Sequence, residues 1–281
     1  YPLGNTGLPP GMVKKIAYSL MDEGQVPQFE RELELNMAIA LADAGRFRVN
    51  VFKQRGEVGM VIRAIRSRIP SIEELNLPQV LKDVIMTPRG LVLVVGSTGS
   101  GKSTSLASMI DHRNSTTTGH ILTIEDPIEY LHKHKMSIVN QREVGLDTHA
   151  FHNALKNAMR EAPDVILIGE ILDAETMEAA IAFAETGHLC LATLHSNNAG
   201  QTSERILNFF PESAHENGLM NLALNLRAVI SQRRVKNKEG RRLPATEVLI
   251  NTPMIRDLLR RGQVHEIKAA MEASLEEGME S

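Results

Sequence analysis

The segment Gly96-Ser-Thr-Gly99-Ser-Gly101-Lys102-Ser103 matches the pattern Gly-x4-Gly-Lys-Ser/Thr at every defined position. Few short motifs constrain a fold as tightly, because this loop functions between a buried strand and the first turn of a helix. Both neighbours are legible. Leu91-Val-Leu-Val-Val95 is a continuous apolar run suited to a buried strand, and Ser103–Ile110 carries on as a helix. Three glycines let the backbone curl so that its N–H groups converge, and the helix N-terminus adds partial positive charge. Such a cradle suits a triphosphate. Lys102 is placed to reach the terminal phosphates as a point charge, and the Ser103 hydroxyl to take one position on Mg2+.

From Gly90 onward apolar strands alternate with helices. Strands are predicted at Leu91–Val95, His120–Ile124, Val165–Ile168, Leu189–Leu194 and Thr246–Ile250, and helices at Thr148–Glu161, Ala174–Thr186, Ala199–Phe209 and Glu216–Ile230. That alternation is the pattern of a parallel sheet covered on both faces, an α/β nucleotide-binding core. Ligands of such sheets lie beyond the carboxyl ends of the strands, so the residues just after each strand are the candidates. Thr123-Ile-Glu125-Asp126-Pro-Ile-Glu129 follows the second strand, Gly169-Glu170 the third, and His195 the fourth. Phosphoryl transfer needs a carboxylate for Mg2+ and a group that orients or deprotonates water; Glu170 and Glu129 suit those two roles. His188 and His195 bracket the fourth strand at an odd separation, which turns them to opposite faces and argues for different jobs. Phosphate contact or sensing competes there with a buried, hydrogen-bonded histidine.

Upstream, Met12–Asp22 has helical spacing, Phe29–Leu35 forms a second amphipathic segment, and Arg46–Phe52 and Gly59–Ile65 alternate like strands. Together they predict a small α+β domain over residues 1–68. The first residues read as a loop entering mid-domain, so this domain is expected to lack its beginning. Ile69-Pro-Ser-Ile72 reads as a turn, Ser71-Ile-Glu-Glu74 as a helix start and Pro78–Met86 as a helix, so 69–89 are expected to be linker and lead-in helix. The nucleotide-binding domain then covers 90–281, with C-terminal helices. A basic run of Arg233, Arg234, Lys236, Lys238, Arg241 and Arg242 around Gly240 reads as a solvated hairpin rather than a phosphate patch.

Composition narrows the function classes. A net charge of −3 over 281 residues, without basic stretches interleaved with aromatics, argues against a nucleic-acid partner. The single cysteine, Cys190, lies in an apolar run and reads as a buried, reduced thiol, which fits a cytosolic protein and builds neither a disulfide nor a zinc site. His149 and His152 have i,i+3 spacing but no third ligand nearby. No apolar run approaches the roughly 20 residues of a membrane span, so no direct membrane insertion is expected.

With the P-loop, Ile124-Glu-Asp-Pro-Ile-Glu129, Asp164-Val-Ile-Leu-Ile-Gly-Glu170, Thr186-Gly-His188 and Leu194-His195 in this order, the chain resembles the secretion-superfamily hexameric ATPases. Within them it is most similar to the type IV pilus retraction motors of the PilT/PilU kind. Leu191-Ala-Thr-Leu-His-Ser-Asn-Asn198 and Asn225-Leu-Arg-Ala-Val-Ile-Ser-Gln232 look closer to the PilU branch. The resemblance implies a RecA-like P-loop ATPase core behind a truncated PAS-like domain. It implies ATP and Mg2+ as cofactors, with Ser97, Thr98, Gly99, Ser100, Gly101, Lys102, Ser103 and Thr104 around the nucleotide. Ser103 and Glu170 would serve Mg2+, Glu170 directly or through water. Glu129 becomes the catalytic glutamate, Glu170 an atypical Walker B acid, and His188 and His195 the "His box". Arg48, Arg63 and Arg66 lie where the family carries arginines that face a nucleotide in trans. The implied protein is a cytoplasmic homo-hexamer, peripheral at the inner membrane through a pilus platform protein, that powers retraction of the pilus. Pilus-assembly or type II secretion ATPases are the related alternatives, although these carry a four-cysteine zinc insertion that one Cys190 cannot build. A weakly active ring subunit assisting another retraction ATPase is a further alternative. One departure bears on turnover: the family pattern Gly-Glu-Ile-Arg-Asp reads Gly169-Glu-Ile-Leu172-Asp173 here, and leucine offers neither the charge nor the donors of arginine.

Overall fold

The computed structural model describes residues 7–42, 44–196, 198–236, 242–273 and 279, and the chain forms two units, Tyr1–Ser67 and Arg68–Ser281. In the first unit, helices α1 (Met12–Leu20) and α2 (Gln25–Glu32) accompany an antiparallel sheet ordered β1 (Glu34–Leu41), β2 (Gly45–Gln54) and β3 (Glu57–Ala64). Its core is Ala17, Phe29, Leu35, Met37, Val49, Val51 and Val58. The amphipathic stretch expected over Phe29–Leu35 is two elements. Leu33 turns left-handed at φ 64°, which ends the helix, and Leu35 and Met37 then alternate into the core as strand residues.

The second unit contains α3 (Val80–Met86), β4 (Gly90–Val95), α4 (Lys102–Thr116), β5 (Gly119–Glu125), β6 (Ser137–Glu143), α5 (Phe151–Ala158), β7 (Val165–Ile168), α6 (Ala174–Glu185) and β8 (Leu189–Leu194). It continues with α7 (Ala199–Leu207), α8 (His215–Asn225), β9 (Leu226–Lys236), β10 (Arg242–Ile250), α9 (Pro253–Arg260) and α10 (Ile267–Ala273). The sheet order is β10-β9-β4-β8-β7-β5-β6, every neighbouring pair parallel except β10 with β9. Side chains of β4 part to the two faces. Leu91, Leu93 and Val95 join Met177, Ala180 and Ala223, whereas Val92 and Val94 join Leu81, Ile85, Leu106 and Ile110. Each such burial is worth about 1.5–3 kcal/mol. Parallel pairing aligns the carboxyl ends of β4, β8, β7 and β5 along one edge, which is what gathers distant motifs.

Three expectations change. The helix predicted over Glu216–Ile230 stops at Asn225, where Asn251 Nδ2 donates to the carbonyls of Ala223 and Leu226, both at 2.9 Å. Ala228, Val229 and Ile230 then fill an interior strand, so sheet packing overrides helical spacing. Ser71 and Glu74 do form the reciprocal bonds of a capping box, 3.1 Å from Glu74 N to Ser71 Oγ and 3.0 Å from Ser71 N to Glu74 Oε2. No helix follows, because Asn76 turns left-handed at φ 50°. Finally, residues 69–89 are no mere linker: Ile72, Leu77, Leu81, Val84 and Ile85 are buried in the core of the second unit. Of the basic run, residues 237–241 lie outside the described residues, which takes in Lys238, Gly240 and Arg241.

Candidate active site

The loop after β4 is built for backbone approach. Gly96 has φ 147°, and a Cβ there would overlap the carbonyl oxygen of Gln232 on β9. The Gln232 side chain reaches α4, donating from Nε2 to Ser105 Oγ at 2.8 Å, so β9 braces both the loop and the helix that follows it. Helix α4 starts at Lys102 with its N-terminal amides toward the loop. Lys102 Nζ donates to Gly96 O at 2.7 Å and to Ser97 O at 3.3 Å. Burial pushes its pKa down, while the charges of Glu170 and Glu129 pull it back up. One cation thus lies in the field of both predicted carboxylates.

Glu129 stands on the connection from β5 to β6. Its Oε1 accepts the Ser103 hydroxyl at 3.2 Å, which brings the second motif onto the first. Tyr130, buried beside it, meets Thr104 through its hydroxyl at 2.9 Å. Gly169 follows β7 where a Cβ would lie 3.1 Å from both the Cα of Glu125 and the carbonyl oxygen of Ile124, so the turn that aims Glu170 packs tightly against the end of β5 and leaves little room for a side chain. His195, past the end of β8, places Nε2 at 2.6 Å from Glu170 Oε1. Lys102, Ser103, Glu129, Glu170 and His195 therefore share the carboxyl edge.

His188 is not with them. It precedes β8, at the amino edge, where its carbonyl accepts Gly90 N at 3.0 Å and its Nδ1 lies 3.1 Å from Thr186 Oγ1 and 3.2 Å from Phe183 O. Six strand residues separate the edges, about 20 Å at 3.3 Å each. Within one chain His188 is hydrogen-bonded and packed edge-on to Phe183, and the strand's length, more than its two faces, separates it from His195. Arg48, Arg63 and Arg66 belong to the first unit; Arg48 and Arg63 are register partners on β2 and β3.

Sequence reasoning passed over Glu125, Gln141 and Glu143. Glu125 lay inside a quoted motif without a role; burial pushes its pKa up to about 7, partly opposed by hydrogen bonds from Thr123 and Gln141. Gln141 and Glu143 sit on β6, a sheet-edge strand whose mixed Ser-Ile-Val-Asn-Gln-Arg-Glu pattern announces no strand. Among the described residues no group of three His, Cys, Asp or Glu could hold a metal by itself. The Ser103 hydroxyl and the Glu170 carboxylate nevertheless offer hard oxygens at this edge, which fits Mg2+ arriving with a nucleotide and keeping phosphate and water ligands.

A phosphate-cradling loop answered by two carboxylates across a parallel sheet edge defines a P-loop ATPase. The family profile described as Type II/IV secretion system protein matches residues 12–271. Over all 281 residues the chain is 53% identical to the type IV pilus ATPase PilU of Pseudomonas aeruginosa, spanning 74% of that protein. Identity to the type IV pilus retraction ATPase PilT of the same organism is 45% over 271 residues, 96% of this chain and 78% of the relative. A crystal structure of the pilus retraction motor PilT with bound ADP superposes with a TM-score of 0.88 at 42% identity, covering 95% of this chain and 81% of that one. The chain belongs to the Type II/IV secretion system protein family and, within it, to the type IV pilus ATPases of the PilT/PilU type. Its second unit is a RecA-like core, preceded by a small sheet domain. Among the described residues no helix is long and apolar enough to cross a membrane.

Leu172, two residues past Glu170, is 62% exposed. An arginine there has room to extend, so Leu172→Arg is expected to raise ATP turnover about fivefold, the equivalent of about 1 kcal/mol from one hydrogen bond to the acidic cluster. Steady-state kinetics check this; unchanged kcat in a folded variant shows that the site works without that donor.

Proposed function

We propose that this chain is the ATP-hydrolysing subunit of a homo-hexameric ring that powers type IV pilus retraction. The observation that carries the hydrolytic reading is the Ser103–Glu129 contact at 3.2 Å, which sets a carboxylate beside the P-loop where an attacking water must stand. The nucleotide would be gripped by the amides of Ser97 to Thr104 and by Lys102. Glu129 would take the proton of the water as its oxygen bonds to the γ-phosphorus and the bond to the β-phosphate oxygen breaks, leaving ADP and phosphate. Glu170, steadied by His195, and Ser103 would hold Mg2+, which when bound neutralises phosphate charge. Arg48, Arg63 and Arg66 would add positive charge to the site of a neighbouring copy, closing the ring when ATP binds and releasing it after hydrolysis. The ring would act on the cytoplasmic side of the inner membrane, pressing on a pilus platform protein.

Leu172 favours a second reading, a ring that binds ATP but turns it over slowly while assisting a related retraction ATPase. Steady-state ATPase activity of the purified protein, followed against particle mass with and without the related ATPase, separates the two. Activity is expected to coincide with particles of six subunits without any partner. Six-subunit particles that hydrolyse nothing alone but stimulate the related ATPase would replace the motor reading with the accessory one.

A further inference from the structure

The stretch between β5 and β6 carries Glu129 over the face of the sheet that α4 covers, and side chains of the two strands hold it there. Thr123 and Glu125 of β5 are the register partners of Gln141 and Glu143 of β6, so all four project from one face. Ile128 N donates to Glu143 Oε2 at 3.2 Å. The backbone amide of Glu129 also favours the charged form of the Glu125 carboxylate, against the effect of burial. Gln141 takes the far side: Nε2 donates to Tyr130 O at 2.9 Å, and Oε1 accepts His132 N at 2.8 Å. The same Nε2 donates to Glu125 Oε1 at 3.1 Å, and Thr123 Oγ1 donates to that oxygen at 2.7 Å. Backbone groups before and after Glu129 are thereby held by the side chains of Glu143 and Gln141, and Gln141 is itself bonded to Glu125.

We propose that Gln141 is a positioning residue for hydrolysis, acting through this cradle to hold Glu129 at the P-loop. The proposal rests on Glu129 being the hydrolytic carboxylate. Its chemistry suits the task, since a neutral amide can donate to a carbonyl and a carboxylate while accepting from an amide, and no other side chain of that size does all three without charge. The bonds made by Gln141 go to Tyr130, His132 and Glu125 and not to residues 96–104, so its loss should change turnover far more than nucleotide affinity. Misplacement of a reacting group by about 1 Å is enough to cost up to about 100-fold in rate.

The test is a cycle of ATPase measurements on the full chain, with KM for ATP and thermal melting recorded for each variant. Gln141→Ala is expected to lower kcat between about tenfold and 100-fold with KM within about twofold of the parent. In a Glu129→Gln background the same change should cost nothing further, because the group it positions no longer acts. Gln141→Glu keeps the acceptor for His132 N but loses both donors and faces Glu125, so it should show the same kcat loss and carries the test if the alanine variant melts early. Parent-like kcat in both Gln141 variants, a KM that rises as kcat falls, or an undiminished loss in the Glu129→Gln background each overturn the proposal. Full turnover by Glu129→Gln alone would instead remove the reading on which it rests.

Discussion

Lys102→Ala is expected to abolish ATP hydrolysis, with kcat/KM falling by about 10³-fold or more. Lys102 is half-buried, its ammonium is held by the Gly96 and Ser97 carbonyls, and the charges of Glu129 and Glu170 favour its protonated form. Alanine would leave two carboxylates facing a triphosphate with no side-chain cation from the loop between them. Like charges then repel where the transition state needs them neutralised, and about 4 kcal/mol of stabilisation is lost. The fold should survive, because the side chain contributes no buried apolar contact to either face of the sheet. Steady-state ATPase assays, with thermal melting as the control for folding, check both halves of this expectation. Normal activity in the variant would show that the loop after β4 is not the phosphate site.

The carboxyl edge was legible in the sequence because its logic is local. A P-loop must follow a strand and open a helix, and acidic residues placed just after successive parallel strands must share an edge. Lys102, Ser103, Glu129 and Glu170 needed only those two rules. His188 shows where local logic ends: seven residues from His195 in sequence, it lies at the other edge because an extended strand separates its ends by its full length. Gln141 was illegible for another reason. Its role depends on the register between β5 and β6, which is set by pairing across residues far apart in sequence, and β6 lacks the continuous apolar run of an interior strand. Strand β9 failed similarly. Its residues have helical spacing, and only the vacancy between β4 and β10, with Asn251 capping α8, makes them extended.

Glu129→Gln is expected to separate binding from chemistry. Glutamine has the size of glutamate, and its Oε1 can still accept the Ser103 hydroxyl, so the contact that locates the side chain can persist. The cradle that fixes the loop uses the backbone of residues 128–132, not the Glu129 carboxylate, and is indifferent to the change. Lys102 and the loop amides are equally untouched, so ATP affinity should stay within about threefold of the parent. Turnover has no such protection. An amide cannot take a proton from water, and general-base assistance is worth about 10²-fold to 10⁴-fold, so kcat should fall by at least about 10²-fold, or about 2.7 kcal/mol. Affinity measured by nucleotide titration and kcat measured with labelled ATP resolve the two effects. A parallel fall in both would make Glu129 a binding residue, reached through Ser103, and would move the search for the group that activates water to Glu170 and its partner His195.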